Sequence, residues 1–452
     1  MIDLILRDCR VTRPDGSSVE GSLLIDNGRI EAIETGSATP ASGARKVIEV
    51  GGRHVLPGLI DTHFHGGFHS PEPNFGTETA AAALGGVTTV CRYYRHLGSY
   101  EETLARDIEL GELSSHTDFA VHLGLLTDQQ LVGLPRWVEE WGIRSFKMYT
   151  CYKDDEGAEL GIRGQDDGFL LDALRALAGL GDVVANVHCE NQDIIARAIV
   201  AGRTSPPNAT DLARWSAARP PVAEAEAIRR VAFLAREAGA ELFIPHVSSD
   251  AGLLAVADAK KTGQSIAAET CPHYLALDTD ASTGVLAKIN PPIRPAGDAA
   301  HLWEGLREGV LDVVGSDHGA TMRASKRQGD PFGSAPGFQG VGTILPVLVD
   351  RGVDGGQITI GTIARMQANA ARVFRIPRKG RIEAGADADL IVLDLDRARR
   401  IDAAMLGGAS DFSVFEGQTL RGWPAMTFLR GRLIAAAGEL VGLPGDGRYL
   451  RR

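Results

Sequence analysis

Short apolar runs alternate with longer stretches of helical periodicity through most of the chain. In the helical stretches apolar residues recur every three or four positions, as in ETAAAALGG, LARDIELGELSS, GFLLDALRALAGLG and AEAIRRVAFLAREAG. The apolar runs between them have the length of strands, for example DVVANVH and AELFIPH. Because strands that alternate with helices build parallel sheets, this part of the chain predicts an α/β fold, a (β/α)8 TIM-like barrel.

The two ends of the chain follow a different pattern. Near the start, LILRDCRVT, PDGS and GSLLIDNGRIEAIE alternate strand-like runs with turn residues, and residues 386–396 and 426–440 do the same near the other end. We therefore expect a second, small domain made of both chain ends. The predicted division is residues 1–52 and 375–452 for that domain and residues 53–374 for the barrel, in which HVLPGLID supplies a buried strand.

Length and composition are those of an ordinary globular enzyme. The chain has 452 residues, of which 44% are hydrophobic and 23% charged. A net charge of −11 argues against nucleic acid or an anionic membrane as partner, and no apolar stretch is long enough to span a membrane. Five cysteines without a CxxC pair, behind a start that lacks a signal-peptide pattern, predict reduced thiols in the cytoplasm.

Side chains that can bind metal ions end or follow several of the apolar runs. They are His63 and His65 in DTHFH, Lys147 in SFKMYTCY, His188 in ANVHCEN, His246 in FIPHVSS and Asp317 in VVGSDHGA. Strand ends of a barrel converge at one mouth, and residues i and i+2 of a strand share a face, so His63 and His65 can bind one ion. A single histidine of this kind is more often a core residue, but four of them favour a metal site.

Lys147 and Asp317 each have two interpretations. An unpaired ammonium is costly to bury, whereas a carbamate formed from Lys147 and carbon dioxide would be an anionic ligand able to bridge two ions. The alternative is a lysine that extends to solvent. Asp317 could bind a metal and take a proton from water, or it could cap a helix in the GSDHG turn.

Together with ETCPHYL (269–275), KINPPIR (288–294) and ARPPVAEAEAIRR (218–230), these motifs resemble the cyclic-amidohydrolase branch of the amidohydrolase superfamily. That branch contains dihydropyrimidinases, hydantoinases, allantoinases and dihydroorotases, and the resemblance covers about residues 20 to 440. It implies that the chain ends pair into a β-sandwich. It also implies two bound ions, with the ligands His63 and His65 for the more buried ion, His188 and His246 for the second, carboxylated Lys147 between them, and Asp317 as ligand and general base and acid.

The resemblance implies an enzyme that hydrolyses a small cyclic amide. The expected reaction opens a hydantoin or dihydropyrimidine ring by attack of a hydroxide that bridges two divalent ions, and gives an N-carbamoyl amino acid. Zinc is the first candidate, with manganese, nickel or cobalt as alternatives, and a homo-oligomer (tetramer or dimer) is expected. The alternatives are an allantoinase, another amidohydrolase such as a dihydroorotase or an N-acyl amino-acid deacylase, or a non-catalytic assembly subunit, which the intact ligand set disfavours.

Two further residues concern the substrate. Tyr152, five residues after Lys147, matches the hydantoinase tyrosine that hydrogen-bonds the oxyanion, although it could also pack at the barrel rim. Asn290 lies in the segment whose backbone holds the ring amide in the family. The stretch HGGFHSPEPN has no arginine where dihydroorotases bind a carboxylate, so we expect no cation near the HxH motif and dihydroorotate to be a poor substrate.

Two segments depart from the family and leave the ring preference open. They are residues 66–77 and residues 319–343, with Gly342 where the family has a glutamate. His273 and His318 flank the motifs and are left outside the catalytic set.

Overall fold

The computed structural model describes residues 2–36, 43–66, 74–153, 155–203 and 209–452. Its first five strands belong to one sheet; they are β1 (Ile2–Thr12), β2 (Ser18–Asp26), β3 (Arg29–Thr35), β4 (Ala44–Glu49) and β5 (His54–Pro57). Strand β1 pairs antiparallel with β2 and parallel with β4 and β5.

The next eight strands form a second sheet whose spatial order is the order of the chain. They are β6 (Leu59–Phe64), β7 (Val87–Tyr94), β8 (Asp118–Gly124), β9 (Ser145–Tyr149), β10 (Val184–His188), β11 (Glu241–Ile244), β12 (Ile266–Thr270) and β13 (Val313–Val314). All pairs are parallel, and most of these strands are buried on both faces, as expected when helices cover the outside.

The ring of strands closes just beyond β6 and β13. Phe64 forms a parallel bridge with His318, the His65 amide donates to the His318 carbonyl at 2.7 Å, and the His318 amide donates to the His63 carbonyl at 3.3 Å. The residues that close the barrel are therefore neighbours of the predicted metal ligands.

Helices connect the barrel strands, and shorter ones lie in the loops. They are α1 (Asn74–Leu84), α2 (Leu104–Ser114), α3 (Asp128–Val132), α4 (Leu134–Trp141), α5 (Asp155–Glu159), α6 (Asp167–Leu180), α7 (Gln192–Arg203), α8 (Asp211–Ala218), α9 (Pro221–Ala238), α10 (Asp250–Lys261), α11 (Pro272–Ala276), α12 (Ala296–Glu308), α13 (Ile344–Val347), α14 (Ile360–Val373) and α15 (Ala403–Leu406), with 3₁₀ turns at Gly284–Ala287, Arg323–Ser325 and Val341–Thr343 and a π-turn at Leu348–Val353. Side chains cap several of them; Ser249, for example, accepts from the Gly252 amide at the start of α10.

The end of the chain returns to the first sheet. Strands β14 (Leu390–Arg400), β15 (Thr419–Leu429), β16 (Arg432–Ala436) and β17 (Glu439–Leu440) extend it, and β14 pairs antiparallel with β5. This nine-stranded sheet has a hydrophobic core of its own, to which both chain ends contribute, for example Leu6 and Leu390. The predicted fold, a barrel with a small β-domain made of both ends, is confirmed.

The predicted strand HVLPGLID is wrong in one respect, because the structure divides it between the two sheets. Residues before Gly58 form β5 of the outer sheet and residues after it form β6 of the barrel. A side chain at Gly58 would collide with Thr88, since its Cβ would lie 2.2 Å from the threonine Oγ1. The domain limits 1–52, 53–374 and 375–452 stay a prediction.

The last residues of the chain run across the end of the barrel where the strands begin. The Leu450 amide donates to the Phe119 carbonyl at 2.7 Å, and the Phe119 amide donates to the Arg448 carbonyl at 2.9 Å. Within the described ranges, no helix combines the length and the apolar character that crossing a membrane requires.

Candidate metal centre

The end of β6 and the segment after β13 bring three metal-binding side chains together. His63 Nε2 lies 3.2 Å from His65 Nε2, and Asp317 Oδ1 lies 3.1 Å from the first and 3.3 Å from the second. All three are largely buried. Two imidazole nitrogens and a carboxylate oxygen that converge at this distance are the donor set of a divalent ion such as zinc.

Three residues of this site have a left-handed backbone. The φ angles are 42° at His246, 48° at Asp317 and 64° at Tyr152. Residues with a side chain rarely adopt this region, and such outliers cluster at active sites, where the surrounding structure holds them in place. The strained backbone therefore occurs at residues that the sequence analysis predicts to be part of the site.

A buried carboxylate that the sequence did not identify lies behind His63. Glu269 Oε1 lies 2.7 Å from His63 Nδ1, accepts from the His246 amide at 3.2 Å, and the other oxygen accepts from the Thr62 hydroxyl. Burial opposes protonation of His63, but the carboxylates of Asp317 and Glu269 raise its pKa to about 9. A ligand histidine commonly gives its second ring N–H to a carboxylate, so this contact leaves Nε2 for a metal.

The second pair of predicted ligands has a similar arrangement. The rings of His188 and His246 are 4.5 Å apart, and His188 Nε2 lies 2.8 Å from Glu190 Oε2. Since Nε2 is occupied by this carboxylate, Nδ1 is the ring nitrogen of His188 that remains for a metal. Glu190 in turn accepts from Arg219 Nη2 at 2.6 Å, deep in the protein.

Cys151, His188 and Glu190 form another group of possible ligands, but their contacts argue against a metal there. The Glu190 carboxylate is ion-paired with Arg219, and burial raises the pKa of the Cys151 thiol well above its usual value. A metal needs a thiolate, so this group is better described as a carboxylate that orients His188.

Lys147 projects from β9 into the same cavity and is 1% exposed. Its Nζ lies 3.4 Å from Asn186 Oδ1 and over the rings of Tyr93 and Tyr149, at 4.7 and 5.3 Å from their centroids. Over the described ranges it makes no ion pair with a carboxylate, and burial lowers its pKa to about 8. A lysine with this pKa has a substantial neutral fraction, which is the form that reacts with carbon dioxide, so the site fits a carbamate.

Tyr152 and Asn290 meet on the other side of the cavity. Asn290 Nδ2 donates to the Tyr152 hydroxyl oxygen at 3.2 Å and to Glu156 Oε1 at 2.9 Å. The tyrosine oxygen therefore acts as acceptor, and its own O–H remains to donate to a bound molecule. Both residues line one pocket with all six predicted metal ligands, so the structure brings every predicted site residue together.

One expectation from the sequence is wrong. The guanidinium of Arg95 lines the same pocket, with Nη1 3.4 Å from His65 Nδ1. Arg95 lies 30 residues after His65, so inspection of the HxH loop could not find it, and the argument that dihydroorotate lacks a cationic partner loses its basis. The available signal was an arginine directly after the run VTTVCRYY, which forms β7.

The segment 319–343 forms part of the pocket wall through Pro336 and Gly337. Lys326 Nζ donates to the Gly337 carbonyl at 2.6 Å, and Lys288 Nζ donates to the Ser334 carbonyl at 2.6 Å. Two buried lysines thus hold this wall through its backbone. Of the other divergent segment, residues 67–73 lie outside the described residues.

The two flanking histidines are buried beside the site. His318 Nε2 lies 2.6 Å from Glu78 Oε2, and its Nδ1 accepts from the Gly340 amide at 3.2 Å. A carboxylate from α1 therefore lies next to the segment in which Gly342 replaces the expected glutamate. Burial lowers the pKa of His273 to about 3, and its ring packs edge-on against neighbouring aromatic rings.

Comparisons with known proteins show which proteins this chain resembles. The model of the amidohydrolase family matches residues 220–434. The chain is 34% identical to a D-hydantoinase of Geobacillus stearothermophilus, covering 100% of this chain and 97% of that protein, and 35% identical to an allantoinase of Rubrobacter xylanophilus, covering 99% and 97%. The crystal structure of the L-hydantoinase (dihydropyrimidinase) from Arthrobacter aurescens superposes over 100% of both chains with a TM-score of 0.92 at 29% identity.

Proposed function

The chain belongs to the amidohydrolase family, whose members depend on divalent metal ions, and we propose that it opens a hydantoin or dihydropyrimidine ring by hydrolysis to give an N-carbamoyl amino acid. The observation that carries this proposal is the convergence of His63, His65 and Asp317 within 3.3 Å, in a pocket that also contains Lys147 and Tyr152. The similarity to proteins named hydantoinase and dihydropyrimidinase supports the choice of a hydantoin or dihydropyrimidine ring as substrate.

We assign the metal ligands as two groups that share Lys147. His63 and His65 would hold one ion, His188 and His246 the second, and Lys147 would lie between them as a carbamate. Imidazole and carboxylate-type ligands suit zinc, with manganese, nickel or cobalt as alternatives. When bound, such ions lower the pKa of a coordinated water and polarise the carbonyl of the ring.

Asp317 is the residue that we assign to proton transfer. Burial opposes its ionisation, but His63 and the hydrogen bonds from both histidines hold the pKa of the Asp317 carboxyl well below its usual value, so it is ionised in the metal-free protein. It takes a proton from the attacking water while the water oxygen bonds to the ring carbonyl carbon. The same carboxyl then gives the proton to the ring nitrogen as the carbon–nitrogen bond breaks.

Tyr152 would stabilise the negative charge that develops on the carbonyl oxygen. Because Asn290 donates to the phenol oxygen, the Tyr152 O–H is directed to another acceptor, and a preorganised donor of this kind stabilises a transition state by a few kcal/mol. Burial raises the pKa of Tyr152 well above its usual value, so the phenol keeps its proton.

A second candidate is the hydrolysis of allantoin, because the allantoinase relative is as similar to this chain as the hydantoinases are. Both reactions use the same site and differ in the ring substituent. The separating experiment compares hydantoin, 5-substituted hydantoins, dihydrouracil and allantoin with metal-replete and chelator-treated enzyme. Metal-dependent opening of hydantoins or dihydrouracil supports the proposal; turnover of allantoin alone would replace it, and no turnover of any ring would refute both.

We also propose a homo-oligomer, a dimer or tetramer, located in the cytoplasm. All five cysteines are buried and unpaired, which suits a reducing compartment. Light scattering coupled to gel filtration measures the oligomeric state directly, and a monomer at micromolar concentration would contradict the first part of this proposal.

A further inference from the structure

The orientation of the Asn290 side-chain amide is set from both of its ends. Its Nδ2 donates to Glu156 Oε1 at 2.9 Å, and its Oδ1 accepts from the Trp215 indole N–H at 3.1 Å. The same indole N–H is shared with the Ile289 carbonyl, also at 3.1 Å. An ionised carboxylate can only accept and an indole N–H can only donate, so the amide nitrogen faces Glu156 and the amide oxygen faces Trp215.

This orientation determines what the Tyr152 phenol can do. With its nitrogen toward Glu156, the Asn290 amide also directs an N–H at the phenol oxygen, which lies 3.2 Å away. The phenol oxygen then accepts from Asn290, and its O–H is left to donate into the pocket that both residues line. If the amide were rotated, its oxygen would face the phenol, and Tyr152 would donate to Asn290 instead. The carboxylate of Glu156 therefore decides, through Asn290, where Tyr152 donates.

Glu156 is held in place although 24% of its side chain is exposed. Its second oxygen, Oε2, lies 3.0 Å from Nη1 of Arg219, whose own side chain is 1% exposed. Helix α5, which carries Glu156, packs directly on the backbone of Tyr152, because a Cβ at Gly157 would lie 2.2 Å from the Tyr152 carbonyl oxygen. The ion pair and this close packing together keep the carboxylate beside Asn290.

Arg219 separates this arrangement from the predicted metal ligands. Its Nε and Nη2 donate to Glu190 at 3.0 and 2.6 Å, and Glu190 in turn contacts His188. Glu156 accepts from the remaining nitrogen, Nη1. Without the charge of Glu156, the carboxylate that orients His188 would still be paired with Arg219. An effect on Tyr152 can therefore be distinguished from an effect on metal binding.

We propose that Glu156 is a positioning residue for the reaction, which acts through Asn290 to fix the Tyr152 hydroxyl as the donor to the carbonyl oxygen of the ring. This inference rests on the proposed function, in which Tyr152 stabilises the negative charge on that oxygen. Within the described part of the chain Glu156 does not line the pocket, so it contributes without touching the substrate. The role is the same for every cyclic amide that the site can open.

Glu156→Gln should disturb this arrangement while keeping the size of the side chain. The glutamine oxygen should stay on Arg219, because a guanidinium has only donors, and the glutamine NH2 would then face the NH2 of Asn290, where no hydrogen bond is possible. We expect kcat to fall on the order of 10-fold, the effect of one hydrogen bond, with KM and metal content little changed. Glu159→Gln is the matched control, since Glu159 is an exposed glutamate of the same helix that does not line the pocket.

A double-mutant cycle with Tyr152→Phe tests whether Glu156 acts through the phenol. If it does, Glu156→Gln should change kcat by less than about twofold in protein that already carries Tyr152→Phe. A loss of the same factor in both backgrounds would overturn the inference, as would an unchanged kcat in Glu156→Gln or a loss that follows the metal content.

Trp215→Phe is the second variant, and it decides the question if Glu156→Gln does not fold. It removes the donor at the other end of the Asn290 amide, so its loss of kcat should also disappear in the Tyr152→Phe background. An equal loss in both backgrounds would contradict the inference.

Fluorine NMR gives a result that does not depend on turnover. With fluorotyrosine incorporated in place of Tyr152, the resonance reports the hydrogen bonding of the phenol. It should move in Glu156→Gln and keep its wild-type position in Glu159→Gln, and an unmoved resonance in Glu156→Gln would overturn the inference. If rings are opened and Glu156→Gln has the wild-type kcat, the inference fails while the proposed function stands. If no ring is opened, the proposed function fails and the resonance still decides whether Glu156 positions Tyr152.

Discussion

Replacing Glu269 with glutamine would measure how much a carboxylate outside the metal site contributes to metal binding. One carboxylate orients two predicted ligands, through the ring of His63 at 2.7 Å and the amide of His246 at 3.2 Å. Glutamine has the same size and keeps one acceptor oxygen, but it is neutral and its amino group cannot accept from Thr62. The loss is therefore one charge-assisted bond and one acceptor, with the packing unchanged.

Changes of this kind at a ligand's carboxylate partner typically cost 10- to 100-fold in metal affinity, or about 1.4–2.8 kcal/mol. The assay is competition between metal-free protein and a chromophoric chelator, with circular dichroism to show that the variant is folded. The matched control is Glu224→Gln. Glu224 is equally buried and accepts from Ser248 at 2.7 Å and pairs with Arg294 at 3.5 Å, so its loss should lower stability without a comparable loss of metal affinity.

The pH dependence gives a second, internal check. In the metal-free protein the pKa of His63 is raised to about 9, so this histidine must lose a proton before it binds metal. The apparent affinity should therefore rise about tenfold per pH unit between pH 7 and 9. Glu269→Gln removes one cause of the raised pKa of His63, so protons compete less with metal in the variant at pH 7. The difference in metal affinity between variant and wild type should therefore be larger at pH 9 than at pH 7. Equal affinities at pH 9, or a deficit as large in Glu224→Gln, would refute the role assigned to Glu269.

Three other outcomes follow from the site and from the pocket wall. Tyr152→Phe should lower kcat by about 10²–10³-fold with little change in metal content, which steady-state kinetics and elemental analysis measure together; a loss of metal would contradict an oxyanion role. Lys147→Ala should lose metal and activity, and adding a short carboxylic acid together with metal should restore part of both. Mass spectrometry of the intact native enzyme should find the mass of one added carbon dioxide. No recovery and an unmodified Lys147 would count against the carbamate. Lys288 is buried and its pKa is lowered from 10.5 to about 8, so between these pH values the unfolded chain binds more protons than the folded protein and the free energy of unfolding should rise with pH. Thermal unfolding measured across this pH range should show a weaker rise for Lys288→Met. The same dependence of stability on pH in the variant and in wild type would exclude this contribution.

The fold and the candidate metal ligands could be predicted from the sequence because most of these candidates lie near the end of a barrel strand or just after it. A strand such as ANVH keeps its apolar residues buried and places its last polar side chain at the barrel mouth, and this pattern is local. The division of HVLPGLID at Gly58 is not local, because it depends on the pairing of β5 with β14 from the far end of the chain.

The residues that the sequence did not identify are those whose role depends on contacts across the barrel. Glu269 is the next-to-last residue of β12 (IAAET), and nothing in that strand alone indicates that it contacts His63, which comes from another strand. Glu190 is two residues from His188, a spacing that could have been noticed, but its partner Arg219 comes from a distant part of the chain, just after α8. Arg95 reaches His65 only because neighbouring strands of the barrel place their ends side by side.

The left-handed backbone at Tyr152, His246 and Asp317 has a consequence for the evolution of this enzyme. Each such residue costs on the order of 1–3 kcal/mol of folding free energy, and glycine would relieve that cost at all three positions. Mutations that abolish the chemistry at these points are therefore expected to be tolerated by the barrel, or even to strengthen it. A few substitutions would therefore be enough to give a protein that keeps this fold and no longer hydrolyses its substrate. Restoring the activity would require both the original side chain and the unfavourable backbone conformation at each position.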